Sequence, residues 1–172
     1  MVDFPGRMKS LVLHAALVAA LLAFAVPHAH GAGVPVIKFP QLQEIMAHRT
    51  DTTYVINFFA TWCDPCKEEF PAFQQWSAQQ LEKKVRLLFV SLDFKRERTR
   101  ALATFLKTHH VRNDVVLLDE TDYNAWINRV DSSWNGNLPM TLVISGRDRR
   151  RHAYPQTFTL DTLRATVAPF IP

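Results

Sequence analysis

The chain has 172 residues, room for one domain plus extensions, and its composition, 48% hydrophobic and 11% aromatic, excludes disorder as its main character. The formal charge of +4 is mild, and the densest basic cluster, Arg147-Asp148-Arg149-Arg150-Arg151-His152, lacks the interleaved aromatics of a nucleic-acid surface. That cluster reads as a solvated hairpin tip, and no nucleic-acid partner is expected.

Arg7 and Lys9 precede an apolar run from Leu11 to Val26, followed by Pro27 and the small-residue stretch Ala29-His30-Gly31-Ala32-Gly33. These are the three parts of a secretory signal, with cleavage expected after Gly31. The run is 16 residues and contains His14, short for the ~20 that span a bilayer. An uncleaved membrane anchor is the alternative, so residues 1–31 are assigned to a signal peptide or N-terminal anchor and residues 32–172 to one folded domain. A membrane partner follows only if that segment is retained. Loss of Arg7, Lys9 and Asp3 leaves a charge of about +3. His28 and His30 read as polar residues at the end of the signal.

Residues 33 to 40 form an extended lead-in with the short run Val36-Ile37. Leu42, Ile45 and Met46 then recur at helical spacing to about His48. Thr52 to Phe59 is rich in β-branched and aromatic residues with little polar alternation, as in a strand covered on both faces and central in its sheet. Phe70, Phe73 and Trp76 mark one side of a helix reaching about Leu81, with Pro65 in its first turn and Pro71 inside, where a kink is expected. Val85 to Ser91 is a second buried strand. Thr99 to His109 carries Leu102, Phe105 and Leu106 at helical spacing, and His109-His110 ends that helix. Val115 to Leu118 is a short strand, and Tyr123, Trp126, Ile127 and Val130 repeat the helical pattern. Thr141 to Ile144 and His152 to Tyr154 form a hairpin, and a last helix capped by Thr159 carries Leu160, Leu163 and Val167 before Pro169 stops it. This alternation implies βαβ crossovers and a parallel core ending in an antiparallel hairpin.

Two cysteines, Cys63 and Cys66, are the only ones in the chain. They stand between a buried-type strand and the start of a helix, where a helix dipole favours a thiolate. In an oxidising compartment a disulfide between them would close a loop of minimal length and constrain the unfolded chain little, so the pair is a poor staple. Structural zinc needs two further ligands, and no second Cys pair exists. Redox chemistry is the reading that remains.

Phe58-Phe59-Ala60-Thr61-Trp62-Cys63-Asp64-Pro65-Cys66-Lys67 resembles the active-site signature of the thioredoxin superfamily. Leu138-Pro139-Met140-Thr141, followed by Leu142-Val143-Ile144, resembles its cis-proline loop entering a strand. Within that superfamily Cys66-Lys67-Glu68-Glu69-Phe70-Pro71 is similar to the TlpA/ResA-like periplasmic thiol:disulfide oxidoreductases. The resemblance covers about residues 40 to 172. It implies an α/β thioredoxin-like fold, a central mixed sheet flanked by helices, with an extra αβ insertion before the cis-proline strand. It also implies an exposed nucleophile Cys63, a resolving Cys66, and Glu69 as acceptor of the Cys66 proton. The alternative for Glu69 is a solvated helix carboxylate.

Asn57 stands where many thioredoxins have a buried acid; an amide cannot act as a base, which is consistent with that duty falling to Glu69. Asp64 opposes ionisation of Cys63, and with Pro65 leans the couple toward reduction. Trp62, Asp64, Pro65, Leu138, Pro139 and Met140 are the expected substrate surface, with Trp134 also bordering it; a core-filling Trp62 is the alternative. A cis isomer at Pro139 is implied by the resemblance alone. No cofactor beyond a redox-active Cys63–Cys66 disulfide is expected. The partners implied are a disulfide-containing client such as apocytochrome c and a membrane electron donor of DsbD type, in the periplasm. Rival readings are a disulfide oxidase or isomerase, and a copper-binding module using both cysteines with a nearby His or Met.

Overall fold

Strand β2 (Thr53–Phe59) explains the architecture, because its side chains alternate between two cores. Val55 and Phe59 belong to one buried cluster with Phe70, Phe73, Trp76 and Phe89. Ile56 and Phe58 belong to a second with Leu42, Trp126, Trp134 and Leu142. Both faces of β2 are therefore covered, which is why it lacks polar alternation. The structure, a computed structural model, describes residues 33–48, 50–80 and 84–172. The signal or anchor expected over residues 1–31, with His28 and His30, lies outside the described residues, as does Leu81. Among the described residues no helix is long and apolar enough to cross a membrane.

The further elements are β1 (Val36–Ile37), α1 (Phe39–Ala47), α2 (Asp64–Ala78), β3 (Val85–Ser91), α3 (Ala103–Thr108), β4 (Asp114–Leu118), α4 (Tyr123–Val130), β5 (Met140–Ile144), β6 (Arg151–Tyr154) and α5 (Leu160–Val167). The six strands form one sheet in the order β1-β4-β3-β2-β5-β6. The pairs from β1 to β2 are parallel, and β5 and β6 run antiparallel. The αβ unit α3-β4 inserts its strand between β1 and β3, the insertion expected before the proline loop. Buried on α2 are Cys66, Glu69, Phe70, Phe73 and Trp76, a stripe at i, i+3, i+4, i+7 and i+10 that lies on the first core. Phe70 stacks on Phe89 with centroids 4.0 Å apart and meets Phe105 edge-on at 5.0 Å.

Some expectations are revised and others are met. Val36-Ile37 is a true edge strand, held by Leu117 N–H donating to Pro35 O and Asp119 N–H to Ile37 O. Pro71 lies inside α2, where it was expected. The single helix expected over 99–109 is instead a 3-10 turn (Lys95–Glu97), a π turn (Arg98–Leu102) and then α3, which together bury both Leu102 and Phe105. The last helix, α5, ends at Val167 ahead of Pro169 as expected, and Pro169 then lies in a 3-10 turn (Ala168–Phe170). The basic hairpin tip is not merely solvated. Arg149 donates to the carbonyls of Met46 and His48 at the end of α1, and Arg150 donates to Pro169 O. The last carbonyls of a helix lack intrahelical partners, and guanidinium groups satisfy them.

Gly146 sits where the β5–β6 turn crosses the start of β2. A Cβ there would lie 2.3 Å from Asp51 C and 2.5 Å from Thr52 N, both backbone atoms that cannot swing aside. Gly146→Ala is expected to destabilise the fold by about 1–3 kcal/mol, as overpacking does. Urea unfolding followed by tryptophan fluorescence measures it, and a change within ~0.5 kcal/mol would contradict the tight crossing.

Candidate active site

The chain leaves the end of β2, turns through Ala60-Thr61-Trp62, and enters α2 with Cys63 as N-cap. Cys63 and Cys66 are disulfide-bonded, with S–S 2.03 Å. The Cys66 N–H donates to Cys63 Sγ at 3.3 Å, so the outer sulfur caps the helix as an oxygen does elsewhere. On reduction that N–H and the positive helix terminus favour a thiolate at Cys63. Cys63 is 6% exposed and Cys66 has no exposed surface. Cys63 is thus less open than expected, yet of the two cysteines it alone keeps exposed surface.

Asp93, buried just past β3, fixes the turn. Its Oδ1 accepts from the Thr61 hydroxyl (2.6 Å) and the Thr61 N–H (3.1 Å), and its Oδ2 accepts from Ser91 Oγ (2.8 Å). The next residue in the chain, Trp62, is 63% exposed, so it does not fill the core but stands on the surface beside the dithiol. Asp64 and Pro65 are exposed too. Asp64 pairs with Lys67 at 2.5 Å, and solvent and that lysine damp its field at the sulfurs.

Glu69, one turn beyond Cys66, is 1% exposed, which removes the solvated-carboxylate reading. Asn57 Nδ2 donates to its Oε1 at 2.8 Å, and the Phe158 N–H donates to its Oε2 at 2.9 Å. Burial raises the Glu69 carboxyl from 4.5 to about 7 against the lowering effect of these two neutral donors. Asn57 Nδ2 also donates to Thr141 Oγ1 (3.1 Å). Asn57 and Thr141 are directly opposite in the β2–β5 register, so alternation alone sets both beneath α2.

The Leu138-Pro139 bond is cis. Phe58 pairs with Met140, and continuing that register sets Pro139 and Leu138 opposite Phe59 and Ala60, at the end of β2 from which the dithiol turn departs. Leu138 is half-buried and packs on the cluster that contains both cysteines, whereas Pro139 is buried. Three side chains expected at a substrate surface are buried instead: Pro139, Met140 and Trp134. Met140, the first residue of β5, has no exposed surface because its side chain turns into the second core. Trp134 packs on Phe58 at 4.8 Å and donates Nε1–H to Asn137 O at 2.8 Å, bracing the proline loop from below. Asp93, Thr141 and the Phe158 N–H escaped the sequence reading. Thr141 was open to it through the period-2 pattern of β5, but the other two are contacts between distant segments with no local signature. Among the described residues no group of three His, Cys, Asp or Glu side chains forms a metal-binding cluster.

A dithiol capping a helix at the end of a central strand, opposite a cis-proline loop, defines a thioredoxin-like redox protein. The solved structure of a thioredoxin-related protein from Neisseria meningitidis serogroup B superposes with TM-score 0.61 at 22% identity, covering 73% of this chain and 88% of that one. StoA from Bacillus subtilis superposes with TM-score 0.54 at 18% identity, covering 67% and 82%. These likenesses establish the fold. Residues 41–162 match the AhpC/TSA family, and the chain belongs to that family. Among curated relatives, the thiol-disulfide oxidoreductase ResA of Oceanobacillus iheyensis is 54% identical over 39 residues, 23% of this chain and 20% of the relative. ResA of Bacillus subtilis is 31% identical over 90 residues, 52% and 45%. The chain spans less than half the length of these curated relatives.

The raised Glu69 carboxyl has a consequence for folding. Between pH 4.5 and about 7 the folded chain holds a proton that the unfolded chain has released, so stability is full below that window and falls as pH rises through it. The loss is about 3 kcal/mol. Urea midpoints measured from pH 4 to 8 are expected to show this decline, and Glu69→Gln to flatten it; a stability that rises through the window would contradict the burial of an isolated carboxyl.

Proposed function

We propose that this chain is an exported thiol–disulfide oxidoreductase that reduces disulfides in client proteins. The observation that carries the reading is the buried carboxyl of Glu69 one helical turn from Cys66, beneath a dithiol in which Cys63 alone keeps any exposed surface. In the reduced protein the Cys63 thiolate attacks one sulfur of the client disulfide, forming a mixed disulfide and releasing the other client sulfur as thiolate. Glu69 takes the proton from Cys66. The resulting Cys66 thiolate attacks Cys63 Sγ, restores the intramolecular disulfide and releases the second client thiolate. The client gains two electrons, and the protein ends in the oxidised form described above.

A carboxyl near 7 is closer to a thiol than an ordinary glutamate is, and so receives its proton at smaller cost. Exposed Trp62, with Asp64, Pro65 and the half-buried Leu138, offers a surface for an extended client segment, whose backbone would pair beside the cis-Pro139 loop. The residue 1–31 segment supports export to the periplasm as signal or anchor, and residues 32–172 act as one domain. The resemblance of the dithiol motif to TlpA/ResA-like oxidoreductases suggests apocytochrome c as a client and a DsbD-type membrane protein as electron donor.

Cys66→Ser is expected to accumulate clients as mixed disulfides on Cys63 in the periplasm, identifiable by mass spectrometry. No adducts, or equal trapping by Cys63→Ser, would count against the assignment. The reduction potential is expected near thioredoxin's, about −270 mV, and a value near −120 mV would make the protein an oxidant. Resolution of a preformed mixed disulfide should accelerate as pH rises through about 7. Glu69→Gln should slow it by roughly 10²-fold and remove that inflection.

A further inference from the structure

Asn57 is wholly buried, and its amide is used on one side only. Nδ2 donates both to Glu69 Oε1 and to Thr141 Oγ1, while Oδ1 has no partner, one of three such buried side-chain atoms among the described residues. A bare buried carbonyl calls for a reason. The partners of Nδ2 suggest one, because both can change sign. A carboxylate only accepts, but a carboxylic acid has an O–H to donate, and a threonine hydroxyl does either.

Proton uptake by Glu69 therefore creates a donor, while both groups hydrogen-bonded to the carboxylate, Asn57 Nδ2 and the Phe158 N–H, are donors themselves. From β2 Glu69 meets Asn57, from β5 it is reached through that amide by Thr141, and from the segment before α5 by Phe158. No charged side chain contributes to its shift. The titratable neighbour on its own helix is Cys66, three residues back, while Asp64 and Lys67 pair with each other and Glu68 is exposed. Of the side chains bonded to the carboxylate, Asn57 carries a free acceptor, its Oδ1.

We propose that Asn57 is a positioning residue that serves both protonation states of Glu69 by turning over its amide: Nδ2 faces the carboxylate, and Oδ1 faces the acid. In the second state the Glu69 O–H donates to Oδ1 and the Thr141 hydroxyl switches from acceptor to donor toward the same oxygen. The proton travels from Cys66 to Glu69 and goes no further; Asn57 changes orientation and gains nothing. This rests on Glu69 being the proton acceptor of the proposed reaction. An apolar residue at position 57 could serve neither state.

The test is an NMR titration of the oxidised wild-type protein from pH 5 to 9, where neither cysteine titrates. It follows the Glu69 carboxyl carbon and both Nδ2 protons of Asn57. Both protons are expected to move upfield together on acidification, with the Glu69 midpoint, because both lose their acceptors when the amide turns. Movement of the Glu69-bonded proton alone, with the Thr141-bonded one unchanged, would show a fixed amide and overturn the proposal. In Asn57→Leu both forms of Glu69 lose their partner, so its midpoint is expected to move by less than about one pH unit, and a larger rise would show an amide that serves the carboxylate alone and overturn the proposal. Neither readout involves a client. If client reduction fails while the paired titration holds, the proposed function falls and the amide switch stands.

Discussion

The site depends on one constraint: a carboxyl group held out of water on the apolar stripe of α2 with only neutral donors to support it. Glu69 takes a core position between Cys66 and Phe70, on a stripe whose other members are apolar or cysteine. Its two hydrogen bonds come from Asn57 on β2 and from the Phe158 N–H ahead of α5. An isolated buried charge is expensive, and a group so placed shifts its ionisation instead of paying the whole cost of desolvation. The helix, the sheet and the C-terminal segment thus meet at one carboxyl, and its ionisation reports whether all three are in place.

The supporting geometry follows from elementary periodicities. Alternation along β2 sends Val55, Asn57 and Phe59 to the face under α2, and the antiparallel register with β5 brings Thr141 beside Asn57. The 3.6-residue repeat of α2 then sets Cys66, Glu69 and Phe73 on the same face. The Phe158 N–H is available because Phe158 immediately precedes the N-cap Thr159 and so lies outside the α5 ladder. Each partner comes from a regular element or its border, and none requires strained backbone.

This explains which parts could be read from the residues and which could not. The strand before Cys63, the helix after it and the closing hairpin carry strong local patterns, and the dithiol motif with Pro139 identified their arrangement. Glu69 was visible as a candidate, but its burial was not: an acid three residues from Cys66 reads equally as solvated until β2 and Phe158 are known to cover it. Met140 and Trp134 were misplaced for the converse reason. Proximity in sequence to Pro139 suggested a surface, while strand alternation and aromatic packing drew both side chains into the core. The π turn over Arg98–Leu102 keeps the helical spacing of apolar residues almost unchanged, so periodicity alone could not reveal it.

Placing the acid on α2 also changes what the fold must hold constant. An acid on β2 would meet Cys66 across a helix–sheet contact and would feel every shift of α2 against the sheet. Glu69 shares a helix with Cys66, so their spacing is set by the hydrogen bonds of a single turn. What varies with tertiary structure is the acid's affinity for a proton, through Asn57 and Phe158, and not its position relative to the sulfur. Geometry and proton affinity are thereby separated: the helix governs the first, and the strand and the C-terminal segment govern the second. Substitutions around Asn57 can retune the carboxyl while leaving the dithiol where the helix puts it.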